Sequence, residues 1–364
     1  MTINMGPQHP STHGVLRLLV TTDGEIVDHV EPVIGYLHRC KEKIAENLPY
    51  YQFMPYTDRL DYLAGMNNNW AWAMAVEKLA GVKVPERAEY IRVMFGELNR
   101  IASHLVAVGT FGLDLGTFTP VLYCFHEREK ILDLFEATCG ARLTYNYYRI
   151  GGVAKDLPDG LVTKIREFLD PFEKRIDELN TLLSENHIFV RRTANVGVFP
   201  PALALDYGVT GPSLRASGVP HDLRRAAPYS IYDRFKFEVV VGRGEKGTVG
   251  DTWDRYDCRV REMSESVKIV RQCLDGLPDG EVRTKLPAVF KPPKGHVLFK
   301  AENPKGELGY YVVSDGSPKP SRVHIRGPSF CNLSIIPAVC RGVMLADLVA
   351  ILGSIDIVLG EVDR

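Results

Sequence analysis

No C-x-x-C pair occurs in the 364-residue chain, and its seven cysteines (Cys40, Cys124, Cys139, Cys258, Cys273, Cys331, Cys340) are odd in number and scattered. That pattern excludes a disulfide frame and an iron–sulfur cluster held by this chain, so the cysteines read as reduced, mostly packing residues. Excess charge of one sign is missing too: 44 Lys and Arg stand against 45 Asp and Glu. Nothing therefore steers the chain toward nucleic acid. There is no G-x-x-x-x-G-K-[ST] and no G-x-S-x-G, and the glycine-rich "GRGEKG" at 242–247 is not followed directly by a helical pattern, so no phosphate-binding site is evident. The start "MTINMGPQHP" has neither a basic nor an apolar leader region, from which a cytoplasmic chain is expected. Long apolar runs are nearly absent: the longest, "GVMLADLVAILGSIDIVLG" at 342–360, is interrupted by Asp347 and Asp356, and reads as a buried helix with a short tail rather than a membrane span.

What is present is ordinary globular composition, 45% hydrophobic and 24% charged, in a chain long enough for two or three subdomains around a shared centre. Two β-rich runs flank Asp23-Gly24, predicting a hairpin over 15–34. From about 58 to 187 the period changes to three and four: Ile91, Met94, Leu98, Ile101, Leu105 and Val108 form one stripe. Ile165, Phe168, Leu169, Phe172, Ile176, Leu179 and Leu183 form another, and both predict amphipathic helices. Pro85 and Pro120 mark helix starts; Gly112, Gly116, Gly151 and Gly152 mark breaks. Residues 196–255 predict short strands and ordered loops, 258–274 a helix, 296–316 a second hairpin around Pro304-Lys305-Gly306, and 335–354 a last helix. The class is α+β, a central helical bundle with small sheets from both ends of the chain. We divide it softly into 1–57, 58–195 and 196–364, within one compact unit.

Three short stretches carry candidate chemistry. In "GPQHPSTHG", His9 and His13 have H-x-x-x-H spacing, but Gly6, Pro7 and Pro10 oppose a helix and no glutamate follows His9, which disfavours zinc. The pair is either structural, satisfied by backbone bonds, or presents imidazoles to a ligand. In "YTDRLDYLAGMNNNW" Thr57 or Asp58 suits a helix N-cap, which explains Asp58 well and Tyr62 poorly. In "FGLDLGTFTP" Asp114 follows a long apolar helix in surroundings expected to be buried, where a carboxylate needs a histidine or arginine partner.

Together with these, "MGPQHPSTHGVLRL", "GYLHRCKEK", "YYQFMPYTDRLDYL", "ERAEYIRVMFGELNRIASHL", "LDLG", "FHEREKILDLFE", "GARLTYNYYRIGG", "DRYDCRVREM", "KGELGYYVVSDG" and the terminal "LADLVAILGSIDIVLGEVDR" resemble one family over essentially the whole chain: the D-type, or 49-kilodalton-type, subunits of NADH-quinone oxidoreductase, respiratory complex I. The resemblance implies a fold like the large subunit of nickel–iron hydrogenases, whose metal is held by two C-x-x-C pairs. Here those pairs fall at Asp61 and Ala64, and at Val358 and Glu361, so no thiolate is left to hold nickel. By the same resemblance His13 and Tyr62 would hydrogen-bond a quinone headgroup, Asp114 would partner the histidine, and His9, Asp61 and Thr110 would line the pocket. Arg39, Arg59 and Thr144 would lie near an iron–sulfur cluster owned by the B-type partner. Thr144 stands where many family members carry a histidine, which implies a lower, less pH-dependent cluster potential and a low-potential acceptor such as menaquinone.

The resemblance further implies B-, C-, I- and H-type partners, with the clusters, FMN and NADH in partner subunits. It implies a peripheral place at the cytoplasmic face of the cell (inner) membrane, coupling to proton translocation, and no activity alone. Two other readings stay open: the equivalent subunit of a complex fed by ferredoxin or a deazaflavin, and a scaffold without catalytic residues.

Overall fold

The computed structural model describes residues 1–8 and 14–364. Strands β1 (Thr2–Met5), β2 (Arg17–Asp23) and β3 (Ile26–Val33) form an antiparallel sheet in that order, with Asp23 opposite Ile26. The predicted hairpin is therefore present, and Gly24 closes its two-residue loop at φ +60°. β1 has too few residues to show a period and is an addition to the predicted elements. On β2, Leu18 and Val20 alternate inward and are fully buried.

Short helices α1 (Lys41–Asn47) and α2 (Met54–Thr57) lead into the bundle: α3 (Gly65–Ala80), α4 (Glu86–Asp114), α5 (Thr119–Cys139) and α6 (Leu161–Leu179). A two-strand ribbon, β4 (Tyr148–Arg149) and β5 (Gly152–Val153), precedes α6, and α7 (His187–Thr193) follows it. Every member of both predicted stripes is buried, and Pro85 and Pro120 stand at the starts of α4 and α5. Gly112 is no break: α4 runs through it, and the chain turns only at Gly116, φ +85°.

The predicted strands of 196–255 are not formed. That segment carries α8 (Pro201–Asp206), α9 (Pro212–Ala216), α10 (Leu223–Ala226) and ordered loops. Its β-rich run around Phe235–Val241 pairs with no strand, and α11 (Thr252–Gly276) satisfies part of its backbone with side chains instead. Gln272 bonds both the N–H and the C=O of Lys236, and Glu265 accepts the N–H of Glu238. In "GRGEKG" and just beyond it, the N–H groups of Gly244 and Gly250 are taken by Asp254 and that of Thr248 by Asp251, so carboxylates occupy amides that a phosphate would need.

The second hairpin is β6 (Gly295–Asn303) and β7 (Gly306–Ser314), extended by an unpredicted β8 (Arg322–Arg326). The expected last helix over 335–354 is broken into α13 (Ile336–Val339) and α14 (Leu345–Ser354), with Gly342 at φ +80° interrupting the pattern; α12 (Pro328–Leu333) precedes it and α15 (Leu359–Asp363) follows. The class is α+β, as expected. No helix among the described residues is long and apolar enough to cross a membrane.

The bundle interior is not purely apolar. Glu97, Arg100 and His104 share one face of α4 and meet Glu262 and Ser266 of α11, with Arg215, Arg224, Asp222 and Glu302 completing a fully buried ionic network. Each carboxylate there has an arginine or histidine partner, which is the condition for burying such charge.

Candidate functional site

Helix α2 stops at Thr57, whose hydroxyl bonds back to the carbonyl of Met54. Asp58 then turns fully inward and accepts the backbone N–H of Asn146 at 3.1 Å. Burial pushes its pKa up to about 7, against the pull of Arg59. The predicted N-cap is neither Thr57 nor Asp58. It is Asp61, whose Oδ1 accepts the N–H of Leu63 at 3.1 Å and starts the 3₁₀ turn Tyr62–Ala64 that runs into α3. The cap fixes Tyr62 on a rigid turn.

Lys305 supplies the cation opposite Asp61. It sits at the β6–β7 tip, where a lysine reads as an exposed turn residue, yet it is fully buried. Gly306, at φ +135°, packs so closely on Thr210 and Gly211 that a Cβ would lie 2.4 Å from the Thr210 hydroxyl. Asn332 holds the Lys305 carbonyl, and Thr210 holds the N–H of Glu307. With the tip pinned, the lysine side chain enters the core. Its Nζ lies 3.2 Å from Asp61 Oδ2 and 3.4 Å from Asp356 Oδ2, and donates to the Ser103 hydroxyl at 3.1 Å.

Two further charges complete the cluster. Arg259 of α11 places Nε 3.7 Å from Asp356 Oδ2 and donates to the Ser354 carbonyl. Glu361 of α15 is fully buried; its Oε2 accepts the backbone N–H of Ser329 at 2.9 Å and the Ser329 hydroxyl at 2.5 Å. Burial and then the repulsion of Asp61 push Glu361 up to about 7. Burial disfavours the Lys305 ammonium, but Asp356 and Asp61 outweigh it and raise its pKa. Burial, followed by Asp61, raises the Tyr62 phenol, while Lys305 opposes the rise.

The two segments that the resemblance aligns with the hydrogenase ligand pairs meet. Gly360 lies so close to 59–61 that a Cβ would stand 2.6 Å from the Leu60 carbonyl oxygen, and the Lys41 ammonium bridges the carbonyls of Arg59 and Gly360. The four positions offer two carboxylates and two apolar side chains, with an ammonium already bound to Asp61. That donor set does not fit nickel, which needs soft ligands there. Among the described residues no group of three His, Cys, Asp or Glu is arranged to hold a metal.

Asp114 ends α4 and is half-buried rather than buried, because the helix continues past Gly112 and brings its last turn to the surface beside exposed Leu113. Its carboxylate packs against the backbone of Gly353, where a Cβ would be 3.0 Å from Asp114 Oδ2. Gly353 is only three residues from Asp356, so one short segment touches Asp114 at one end and the lysine cluster at the other. Thr110, one turn before Asp114, is half-buried and donates to the Val106 carbonyl. Arg39 is exposed, its N–H bonded to the Arg364 carbonyl. Arg59 is exposed beside a cavity of about 320 Å³ that it lines with Pro55 and Tyr56. Thr144 is half-buried at φ +53°, on the loop that Asp58 anchors through Asn146. His9 and His13 lie outside the described residues.

Lys305, Asp356 and Arg259 are site residues that sequence reasoning does not single out. For Asp356 there is a signal: an aspartate inside the most apolar stretch of the chain requires a buried cation.

A family model described as the 49-kilodalton subunit of respiratory-chain NADH dehydrogenase matches residues 114–292 and 286–364. A protein of Anaeromyxobacter dehalogenans, named as one of its D-type subunits of NADH-quinone oxidoreductase, is 54% identical over all of this chain and 96% of its own length. Proteins with the same D-type name from Clostridium beijerinckii and Desulforamulus reducens are 53% and 54% identical, over 100% and 99% of this chain and 97% of each relative.

Proposed function

The chain belongs to the family of the 49-kilodalton subunit of respiratory-chain NADH dehydrogenase, the D-type subunits of complex I, and on that premise we propose that it builds the quinone-reduction site together with a B-type iron–sulfur partner. The observation that carries this reading is Tyr62, which starts the turn capped by Asp61, the carboxylate bound by buried Lys305, in the segment that the resemblance aligns with a hydrogenase ligand pair. The partner's cluster supplies the electrons; this chain's residues bind the headgroup and manage protons.

Reduction of a quinone to a quinol takes two electrons and two protons, and negative charge builds on each carbonyl oxygen as electrons arrive. Donors at both ends of the ring stabilise that charge. Tyr62 is one donor and His13 the other, with Asp114 keeping the imidazole protonated until it gives up its proton. His9, Asp61 and Thr110 wall the pocket. Arg39 and Arg59 face the partner's cluster, and C-, I- and H-type subunits complete a peripheral assembly at the cytoplasmic face of the membrane. Loss of the His13 proton releases Asp114, and the Gly353–Asp356 segment offers a path by which that change reaches the cluster. Asp114→Asn is then expected to lower the protons pumped per electron in proteoliposomes; an unchanged ratio would refute the coupling step.

A photoreactive quinone analogue added to the assembled complex should label segment 56–70 or 6–14, and excess quinone should compete it away. Labelling confined to the cavity of about 650 Å³ lined by Tyr51, Arg283 and Phe290 would overturn the assignment. Thr144 has no ionisable proton, so the partner's cluster is expected to show a lower, less pH-dependent potential, suited to menaquinone. Thr144→His should steepen that dependence toward about 59 mV per pH unit, the limit for one proton per electron. Redox titration at several pH values reads the slope.

A further inference from the structure

The cavity of about 650 Å³ beside Tyr51 has no part in the quinone-site reading. Three cations, Arg149, Arg283 and Lys285, line it, and no carboxylate does. Glu281, two residues before Arg283, is exposed outside it. Among the described residues none of the three cations forms an ion pair, and the side chains of Arg283 and Lys285 make no hydrogen bond. Burial and then the Arg283 guanidinium push the Arg149 pKa down, and the pull of Asp58 only partly opposes them. Like charges gathered at one cavity wall make a site for an anion.

The backbone holds these cations in place. Arg149 donates through Nη1 to the Asn146 carbonyl, to Asn146 Oδ1 at 2.7 Å and to the Tyr148 carbonyl at 3.0 Å. Its Nε–Nη2 edge, the one that grips a carboxylate in two-pronged fashion, makes no bond among the described residues. The segment carrying Arg283 and Lys285 is tied to the β4–β5 ribbon. Val153 donates to the Val282 carbonyl at 3.0 Å, Thr284 donates to the Gly151 carbonyl at 2.8 Å, and the Thr284 hydroxyl bonds the Lys83 carbonyl at 2.6 Å. Gly152 lies so close that a Cβ would stand 2.2 Å from the Val282 carbonyl oxygen. This pairing uses only one edge of the added strand. On the other, the N–H and C=O groups of Arg283 and Lys285 have no backbone partner among the described residues. Met54, Ile150 and Phe290 give the cavity beside them an apolar wall.

We propose that this cavity and strand edge receive an extended acidic segment of a neighbouring subunit of the complex. The segment adds a strand beside 283–285 through main-chain hydrogen bonds, its carboxylates meet Arg149, Arg283 and Lys285, and an apolar side chain next to them fills the cavity. The open edge selects a peptide over a free anion or a lipid headgroup, because neither of those offers alternating N–H and C=O groups. The three unopposed cations select an acidic sequence over a neutral one, since like charge brought to them would be repelled and an uncharged strand would leave them unpaired. The proposal rests on the chain being a subunit of complex I, and it stands or falls apart from the quinone-site reading.

The test uses the assembled wild-type complex and a carbodiimide, which joins an amine to a carboxylate only where the two already touch. Mass spectrometry should find Lys285 linked to an aspartate, a glutamate or a C-terminal carboxylate of another subunit, with a yield that falls as salt is raised. The same lysine should resist acetylation by a water-soluble reagent. Replacing both exposed cations, Arg283→Glu with Lys285→Glu, should let the cross-linked subunit leave at least about tenfold more readily in high salt, while Arg283→Lys with Lys285→Arg retains it. A Lys285 that is freely acetylated, or that links only to its own chain at Glu281, would overturn the proposal. So would protection without any cross-link that disappears when lipid is stripped by detergent, since the occupant would then be a lipid headgroup. Unchanged retention in the charge-reversed complex would also overturn it. Cross-linking of Lys285 is read independently of quinone photolabelling, so a failure of one leaves the other to be judged on its own result.

Discussion

Tyr62→Phe in the assembled complex is expected to lower quinone-reductase turnover about 100-fold, the usual scale for losing a positioned proton donor. The substitution keeps the ring and removes only the hydroxyl, so the capped turn set by Asp61 should survive. Binding should change far less: one hydrogen bond to a neutral carbonyl is worth about 1 kcal/mol, so KM for quinone should shift by less than about tenfold. Reduction of a hydrophilic acceptor that takes electrons upstream of the quinone should be unaffected. A scaffold without catalytic residues predicts the opposite, intact quinone turnover, and steady-state kinetics with a short-tailed quinone decides between them.

Lys305→Met is expected to cost about 3–5 kcal/mol of stability, enough to be seen as a large loss of assembled complex or a lowered urea midpoint. Methionine fills a similar volume but leaves Asp61 and Asp356 facing each other without the ammonium that lies 3.2 and 3.4 Å from them. The carboxylates would then be protonated or would draw in water, at the expense of the packing around Ser103 and the hairpin tip. Adding Asp61→Asn and Asp356→Asn to Lys305→Met should recover much of the stability, because burying polar but uncharged groups is far cheaper than burying an unpaired charge. Stability recovered without turnover would separate the structural task of the cluster from a contribution to quinone reduction.

The bundle is legible in the sequence because α4 and α6 bury one residue type at a fixed period, and no distant contact is needed to read that. Hairpins around Asp23-Gly24 and Pro304-Lys305-Gly306 are legible for a similar reason, since turn chemistry is local. Residues 235–241 mislead: valine and phenylalanine promise a strand, but whether a ladder partner exists is a tertiary matter, and here Gln272 and Glu265 on α11 take the backbone groups instead. The site divides the same way. Tyr62 and Asp61 can be singled out from one stretch, with the family resemblance supplying their roles. Lys305 cannot, because a lysine in a turn becomes buried only when residues 210–211 and Asn332, far away in sequence, pin the tip inward. Asp114, expected to be buried, is half-buried, because sequence places the end of α4 only to within a turn.

The most direct measurement is a structure of the assembled complex with quinone or a competitive inhibitor bound. The headgroup is expected between Tyr62 and His13, with the Tyr62 hydroxyl within hydrogen-bond distance of one carbonyl oxygen. A headgroup seated elsewhere on the chain, with Tyr62 touching only protein, would contradict it.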